Sequence, residues 1–503
     1  MRETVHFNVI AATLLALALT PAFAARAEEW SFVGSRYQAM GGAGVALVDD
    51  NHASYWNPGA LAFDGVAQGV ELPFSVSAET LGNILADADS IADFISDNTL
   101  ASVITKVGNG DALTLAEVQD LLDLTATKLP TLGDDGEGFL ALPELGLTMR
   151  RGRLAVTVKG SGSLAVDPVL DLSNLSFSGD LASALDRVTD VVGAGGDRSL
   201  DFTNLADSQS LSDAINAGFA AWDQDQAEEL VLQAELAGLN TSSTTIRSLI
   251  TDIAGATGGL TAADLSANGS GAFVRGLITQ EVGIAYAHPV FRDRLGIGAN
   301  VRYLRGISTS KFIRYDDIES GRDLVDELTD LSNTETSDQV AVDIGVLLRL
   351  NDRLRFGVVG RNLTSPSFAV DGGDDYTLDP QVRAGFALNL APGLVMAADI
   401  DITENETDAL SGVKSQLLSV GTEYVLGLGE GHLALRAGAF TNLAGEELRD
   451  SLTVTAGVGF RIWRLQLDLA AGASPYLQEI NSGGKKLPSR LNLSGSIKWV
   501  TKF

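Results

Sequence analysis

Cysteine is absent from the 503 residues. The chain therefore offers no thiol nucleophile, no disulfide framework and no Cys-ligated metal. Basic residues are scarce: 35 Lys and Arg stand against 65 Asp and Glu, for a net charge of −30 and a sequence pI near 4.4. That balance excludes a basic surface for nucleic acid. Of the four histidines, His52, His288 and His432 lie beyond the N-terminal leader and far apart. No His-Glu-x-x-His, Gly-x-Ser-x-Gly or Walker loop occurs. Asp371, Asp374 and Asp375 could gather round a cation but match no EF-hand loop, and they read as a solvated acidic turn. No enzyme, cofactor or metal centre is expected. Beyond the leader there is also no run of roughly eighteen apolar residues, so the chain does not cross a membrane as helices.

Hydrophobic residues nevertheless make up 45% of the chain, and mean hydropathy is positive at +0.15. Acidity and apolarity are segregated. Residues 80–137 hold eleven Asp and Glu against two Lys and Arg, and residues 166–271 hold sixteen against three, so the two stretches carry −22 of the −30. Within them Leu81, Ile84, Leu85, Ala88, Ile91 and Ile95 keep helical spacing. Thr114-Leu115-Ala116-Glu117 forms a capping box. The expectation is a pair of long acidic helical loops, 80–137 and 166–273. Residues 1–27 read as a secretory signal: Arg2, an apolar run from Val9 to Leu19, and the small-x-small sites Ala22-Phe23-Ala24 and Ala25-Arg26-Ala27.

The second half alternates with period two. Val340, Val342, Ile344, Val346 and Leu348 share one face of a segment whose other face carries Ala341, Asp343, Gly345 and Arg349. Trp463, Leu465, Leu467 and Leu469 alternate likewise with Arg464, Gln466 and Asp468. Segments of about ten residues with this pattern have the length of tilted membrane strands. Short links such as Arg151-Gly152, Asn351-Asp352 and Gly429-Glu430 alternate with long ones, the asymmetry of bacterial barrels. The predicted fold is an all-β membrane barrel of about 14 antiparallel strands over 66–503. Gly427-Leu428-Gly429-Glu430-Gly431, which mimics a nucleotide loop, falls in a predicted hairpin and reads as a turn.

Alternation also fixes an inward face. It carries Arg302, Arg349, Arg353, Arg355, Arg361, Arg383, Arg436, Arg461 and Lys498 together with Asp343, Asp399, Asp401, Glu423 and Asp468. A basic side chain facing lipid would cost roughly 2–4 kcal/mol at mid-bilayer. Both signs on one face lead to the expectation of lumen ion pairs and a largely occluded interior.

The densest local signal precedes the first strand. It runs from Gly34 through Met40, Gly41, Gly42 and Gly44 to Asp50, then through Ala53-Ser54-Tyr55-Trp56-Asn57-Pro58-Gly59. Glycines there allow close backbone approach, and Pro58 restricts Asn57 to an extended or turn conformation. This segment resembles the Gly-Met-Gly-like run and Asn-Pro-Ala-like turn of the FadL-like outer-membrane superfamily, with Gly59 as a departure. The stretches 295–306, 354–363, 378–385 and 398–403 resemble more specifically its TraF-like, conjugal-transfer branch. The resemblance implies that residues 28–65 form a hatch inside the barrel, with Met40, Gly41, Gly42, Gly44, Asn57 and Pro58 in the plugging segment. It also implies a channel taking up small hydrophobic molecules, or alternatively a conjugation- or secretion-associated barrel that binds a protein partner. The last strand, alternating from Leu491 to a terminal Phe503, resembles the signal read by the barrel-assembly machinery; Thr501 departs from it. Outer-membrane lipid is the expected surrounding.

Overall fold

The computed structural model describes residues 25–26, 29–63, 68–82, 138–169, 271–291, 294–314, 334–371, 373–410, 412–429, 431–445, 451–479 and 486–502. The two acidic loop expectations, the signal segment apart from the backbone of Ala25–Arg26, and Phe503 lie outside the described residues.

Fourteen strands close into one barrel, each antiparallel to its chain neighbours and the last paired back on the first. They are β1 (Gln68–Leu81), β2 (Gly138–Arg151), β3 (Leu154–Val169), β4 (Gly271–Val290), β5 (Leu295–Arg314), β6 (Thr334–Arg349) and β7 (Leu354–Arg361). The second half comprises β8 (Gln381–Ala391), β9 (Leu394–Asp401), β10 (Leu417–Leu428), β11 (Gly431–Asn442), β12 (Thr453–Ile462), β13 (Leu465–Ala473) and β14 (Arg490–Lys502). This is the architecture the alternation predicts, with boundaries shifted by a few residues. The largest shifts extend β3 and β6 by four residues each on the long-loop side, where β4 and β5 pair in register over 20 residues each, well past the length needed to cross a bilayer. The short turns are tight: Gly152 and Gly393 adopt φ of +61° and +77°, which glycine enters without a Cβ clash. Leu428 pairs with Gly431, so the glycine-rich 427–431 stretch is the β10–β11 hairpin.

The two faces of each strand differ in chemistry. Ile284 and Leu469 are 57% and 59% exposed on the outside, while Asp343 and Arg383 on the inside are fully buried. With strands tilted across a membrane, the exposed apolar positions meet acyl chains, and the buried polar ones must satisfy each other.

What buries them is the N-terminal segment. It contains two short helices, α1 (Ser35–Ala39) and α2 (Ala53–Trp56), followed by a 3-10 turn, Pro58–Ala62. Trp30, Tyr37, Met40, Leu47, Trp56 and Leu61 are completely or almost completely buried in a cluster shared with inward residues of the wall, among them Ala155, Ala285, Leu347, Ala397 and Phe440. A second apolar cluster lies at the long-loop end. There Leu140, Leu277, Leu304 and Ala341 of the strands meet Phe368, Val370, Tyr376 and Leu410 of the connecting segments.

Candidate functional site

The lumen and the segment that fills it form the candidate site, and two glycine-lined seats define how the segment lies. The first holds the Asn57-Pro58-Gly59 turn. Asn57 caps the 3-10 turn by accepting from the Gly59 N–H at 2.9 Å, and its Nδ2 donates to the carbonyls of Val45 and Val346, both at 3.0 Å. One side chain thus ties the turn to its own segment and to β6. The turn can come so close because Gly296 and Gly298 of β5, Gly345 of β6 and Gly357 of β7 lack side chains; a methyl group at any of them would overlap Asn57, Pro58, Gly59 or Val45. Pro58, at the start of the turn, needs no donor there. The second seat, on the other side of the barrel, receives Met40 and Gly41 against Gly421 of β10 and Gly438 of β11. Gly41 and Gly42 have φ of +67° and +82°.

Charged side chains complete the attachment. The Arg36 guanidinium donates from Nε and Nη2 to the two oxygens of Glu423 at 3.0 and 2.7 Å, and from Nη1 to Asp49 at 2.7 Å. Glu423 also accepts from Arg436 Nε at 2.7 Å, and Arg436 Nη1 donates on to Asp468 at 2.6 Å. Asp399 accepts from the backbone N–H groups of Gly44 and Val45 at 2.6 and 2.8 Å. Arg383 donates to Asp401 at 3.0 Å, to Ser419 Oγ at 2.7 Å and to the Gly42 carbonyl at 3.2 Å. Arg302 joins Glu281 at 3.0 Å and Asp343 at 2.7 Å. Such charge-assisted bonds are stronger than neutral ones.

Two of the arginines expected in ion pairs stack on aromatic rings. Arg349 lies over the Phe63 ring at 3.8 Å, and Arg361 over Tyr55 at 3.9 Å and Trp30 at 5.2 Å. They meet aromatic faces of the N-terminal segment, which attract a cation through the ring quadrupole. Arg355 is half-buried, cross-strand from Arg349, and has no carboxylate partner among the described residues. Arg353, also assigned inward, is exposed at the short-turn end. Gly44 donates its N–H to Asp399, accepts from the Val48 N–H at 2.9 Å, and leaves the space of a side chain to the Trp56 ring.

Several participants carry no prominent sequence signal. Arg150 of β2 donates to the carbonyls of Asp49 and Asp50 at 3.1 and 3.2 Å and of Phe63 at 2.6 Å, clamping both ends of α2 and its turn. Period-two alternation would have placed Arg150 and Glu281 on the inner face; nothing local would have paired Arg36 with a residue 387 positions away. His52 is buried with Nδ1 at 3.5 Å from Asp50 and 3.7 Å from Glu71. Burial opposes its charge, but Glu71 and Asp50 prevail and raise its pKa above the ordinary value of 6.5. Lys498 of β14 lies 3.3 Å from Glu71.

The model of the family described as "F plasmid transfer operon, TraF, protein" matches residues 54–401, more than two thirds of the chain. The chain belongs to that family. The match to the TraF family spans the Asn57-Pro58 turn, β1 through β9, and Arg302, Asp343, Arg383, Asp399 and Asp401. No curated protein matches the chain. Among solved structures it is similar to the Ralstonia pickettii toluene transporter TbuX, at 12% identity over 93% of this chain and 98% of that one, with a TM-score of 0.41. It is similar also to the Pseudomonas putida toluene transporter TodX, at 12% identity over 94% and 100%, with a TM-score of 0.43. A Pseudomonas aeruginosa FadL homologue matches at 10% identity over 95% and 99%, with a TM-score of 0.39.

Proposed function

We propose that this TraF-family barrel sits in the outer membrane as a channel for small, hydrophobic molecules, and that residues 28–65 are its plug. The observation that carries the reading is the way this segment fills the lumen. It is attached to the wall by close contact over bare glycines and by reversible polar bonds, and it has a cavity on either side. Such a filling is suited to moving, whereas a lumen filled by the wall's own side chains would be permanently closed. The buried apolar cluster of Leu140, Leu304, Phe368, Val370 and Tyr376 at the long-loop end supports an apolar solute, since it sets apolar side chains at that end of the lumen. The paired charges below it support a closed resting state without a water-filled pore.

The family's link to a plasmid transfer operon favours a second reading, a conjugation- or secretion-associated barrel whose loops or short-turn face bind a protein partner. Removing the segment separates the two. Passage of a lipophilic dye through a lipopolysaccharide-containing membrane is expected to rise in a barrel lacking residues 28–65, with strand content verified by circular dichroism. Equal, non-zero passage with and without the segment, in a barrel that still assembles, overturns the plug. No passage in either form leaves the structural reading in its place.

A further inference from the structure

If the barrel is a channel, its route can be located. Two cavities flank the N-terminal segment at opposite ends of the lumen. The upper, of about 320 Å³ on the long-loop side, is bordered by Glu29, Leu140, Val413, Ser415, Asn442 and Gly445. The lower, of about 380 Å³ toward the short turns, is bordered by Arg36, Glu423, Gly427, His432, Arg436 and Lys498. Strand β11 runs directly between them: Asn442 edges the upper cavity, and Arg436, Ala434 and His432 edge the lower.

Between the cavities the inward positions of β10 and β11 are Leu417, Ser419 and Gly421, and Phe440 and Gly438. Gly421 and Gly438 are cross-strand partners, and the backbone of Met40 and Gly41 rests on the bare patch they make. Above the patch Phe32 meets Phe440 edge-on at 4.8 Å. Met40 and Gly41 direct their N–H groups to Tyr37 and Gln38 of their own helix. Hydrogen bonds to the wall flank the contact, from Thr455 to the Ala39 carbonyl and from Arg383 to the Gly42 carbonyl, but among the described residues none joins Met40 or Gly41 to the wall. Lifting these two residues off the patch therefore strands no polar group of theirs. The opposite seat differs: there Asn57 bonds directly to the β6 carbonyl of Val346.

We propose that solute passes between the N-terminal segment and the β10–β11 wall, and that Met40–Gly41 lying on Gly421 and Gly438 is the gate. The linings also specify the cargo further. The upper cavity sets Leu81, Leu140 and Val413 beside Glu29, Glu79 and Lys414, and the lower is bordered largely by charged groups. A pure hydrocarbon would desolvate those charges without replacing a hydrogen bond. The cargo that fits is a small molecule with an apolar body and one polar group.

The absence of cysteine makes the route testable by blocking it. Gly427 borders the lower cavity and Gly445 the upper, and a side chain added at either meets nothing within 4 Å. Ser161, in the opposite wall, serves as the control. Full-length Gly427→Cys, Gly445→Cys and Ser161→Cys are labelled in detergent with a bulky maleimide and reconstituted into vesicles of lipopolysaccharide and phospholipid. Entry of N-phenyl-1-naphthylamine, an apolar ring system with one amine, is then followed by fluorescence. Loss of entry after labelling at 427 and at 445, with entry retained after labelling at 161, supports the route. Entry retained at 427 or 445 overturns it while leaving the channel reading intact, and loss at all three sites overturns a one-sided route as well. No entry through the unlabelled wild type removes the channel reading and the route with it.

Discussion

The outer and inner faces of the same fourteen strands solve opposite problems. Outside, Leu72, Val282, Ile284, Val301, Leu469 and Ile497 are exposed one beside another, and each can be replaced by any residue that lipid tolerates. Inside, Arg302, Asp343, Arg383, Asp401, Glu423 and Arg436 are buried, and each depends on partners held at fixed distances. The outer face needs only a local rule, every second residue apolar. The inner face needs other strands and, for Arg383, Asp399 and Glu423, a segment from the far end of the chain. The same backbone is thus tolerant on one side and exacting on the other.

The strongest way to break this comparison is at the inner face. Arg383 is fully buried and bonds Asp401, Ser419 and Gly42 together. Arg383→Met keeps the volume but leaves Asp399 and Asp401 without their cation. Removing one partner of a buried pair costs about 3–5 kcal/mol, and urea unfolding of the protein refolded into bilayers is expected to show a loss of that size. A loss below 1 kcal/mol would mean that water reaches the site and that the lumen is not dry (roughly the value of exposed pairs).

The outer face supplies the next test. Ile284 lies on β4, six residues from its short-turn end at Val290 and 57% exposed. Ile284→Arg, at a position near the bilayer centre, is expected to cost roughly 2–4 kcal/mol in the same unfolding measurement, while the contacts of the N-terminal segment stay as they are. An unchanged midpoint would take Ile284 out of the hydrocarbon and move the membrane boundary along the strand.

This contrast also explains what the sequence could tell. The wall was legible because alternation is local: Val340 to Arg349 declares its two faces within ten residues, and the Asn351-Asp352 and Gly429-Glu430 links mark the short turns. The inward charges followed from the same rule. Their partners did not, because partners depend on register and on the third dimension. Arg302 pairs diagonally with Glu281, whose own cross-strand neighbour is Leu304. Arg349 and Arg361 lie over Phe63, Tyr55 and Trp30, rings to which alternation does not point. The glycines of the wall looked like unremarkable strand residues until the turn at Asn57 and the backbone of Met40 lay against them. A bare position has no local signature, since its reason is what lies on top of it.

The smallest expected effect lies in the segment that covers the inner face, at His52. Its ring is buried among Asp50, Glu71, Lys498 and Tyr37, and neither ring nitrogen has a hydrogen-bond partner among the described residues. Burial disfavours the imidazolium, yet Glu71 and Asp50 outweigh it and Lys498, and the pKa rises above 6.5. A group whose pKa is higher folded than unfolded binds its proton more tightly in the folded state. Its contribution is therefore complete below the ordinary histidine range and is lost as pH rises through the raised folded value. Stability of the wild type should accordingly fall from mildly acidic to alkaline pH, and the hold of the wall on the N-terminal segment should weaken in the same direction. His52→Gln keeps a polar side chain of similar reach without the charge. Its urea midpoint is expected to lie below that of the wild type at acidic pH and to converge with it at alkaline pH. Two parallel curves, offset by the same amount throughout, would assign His52 a packing role and leave the charge of the Asp50–Glu71–Lys498 cluster balanced without it.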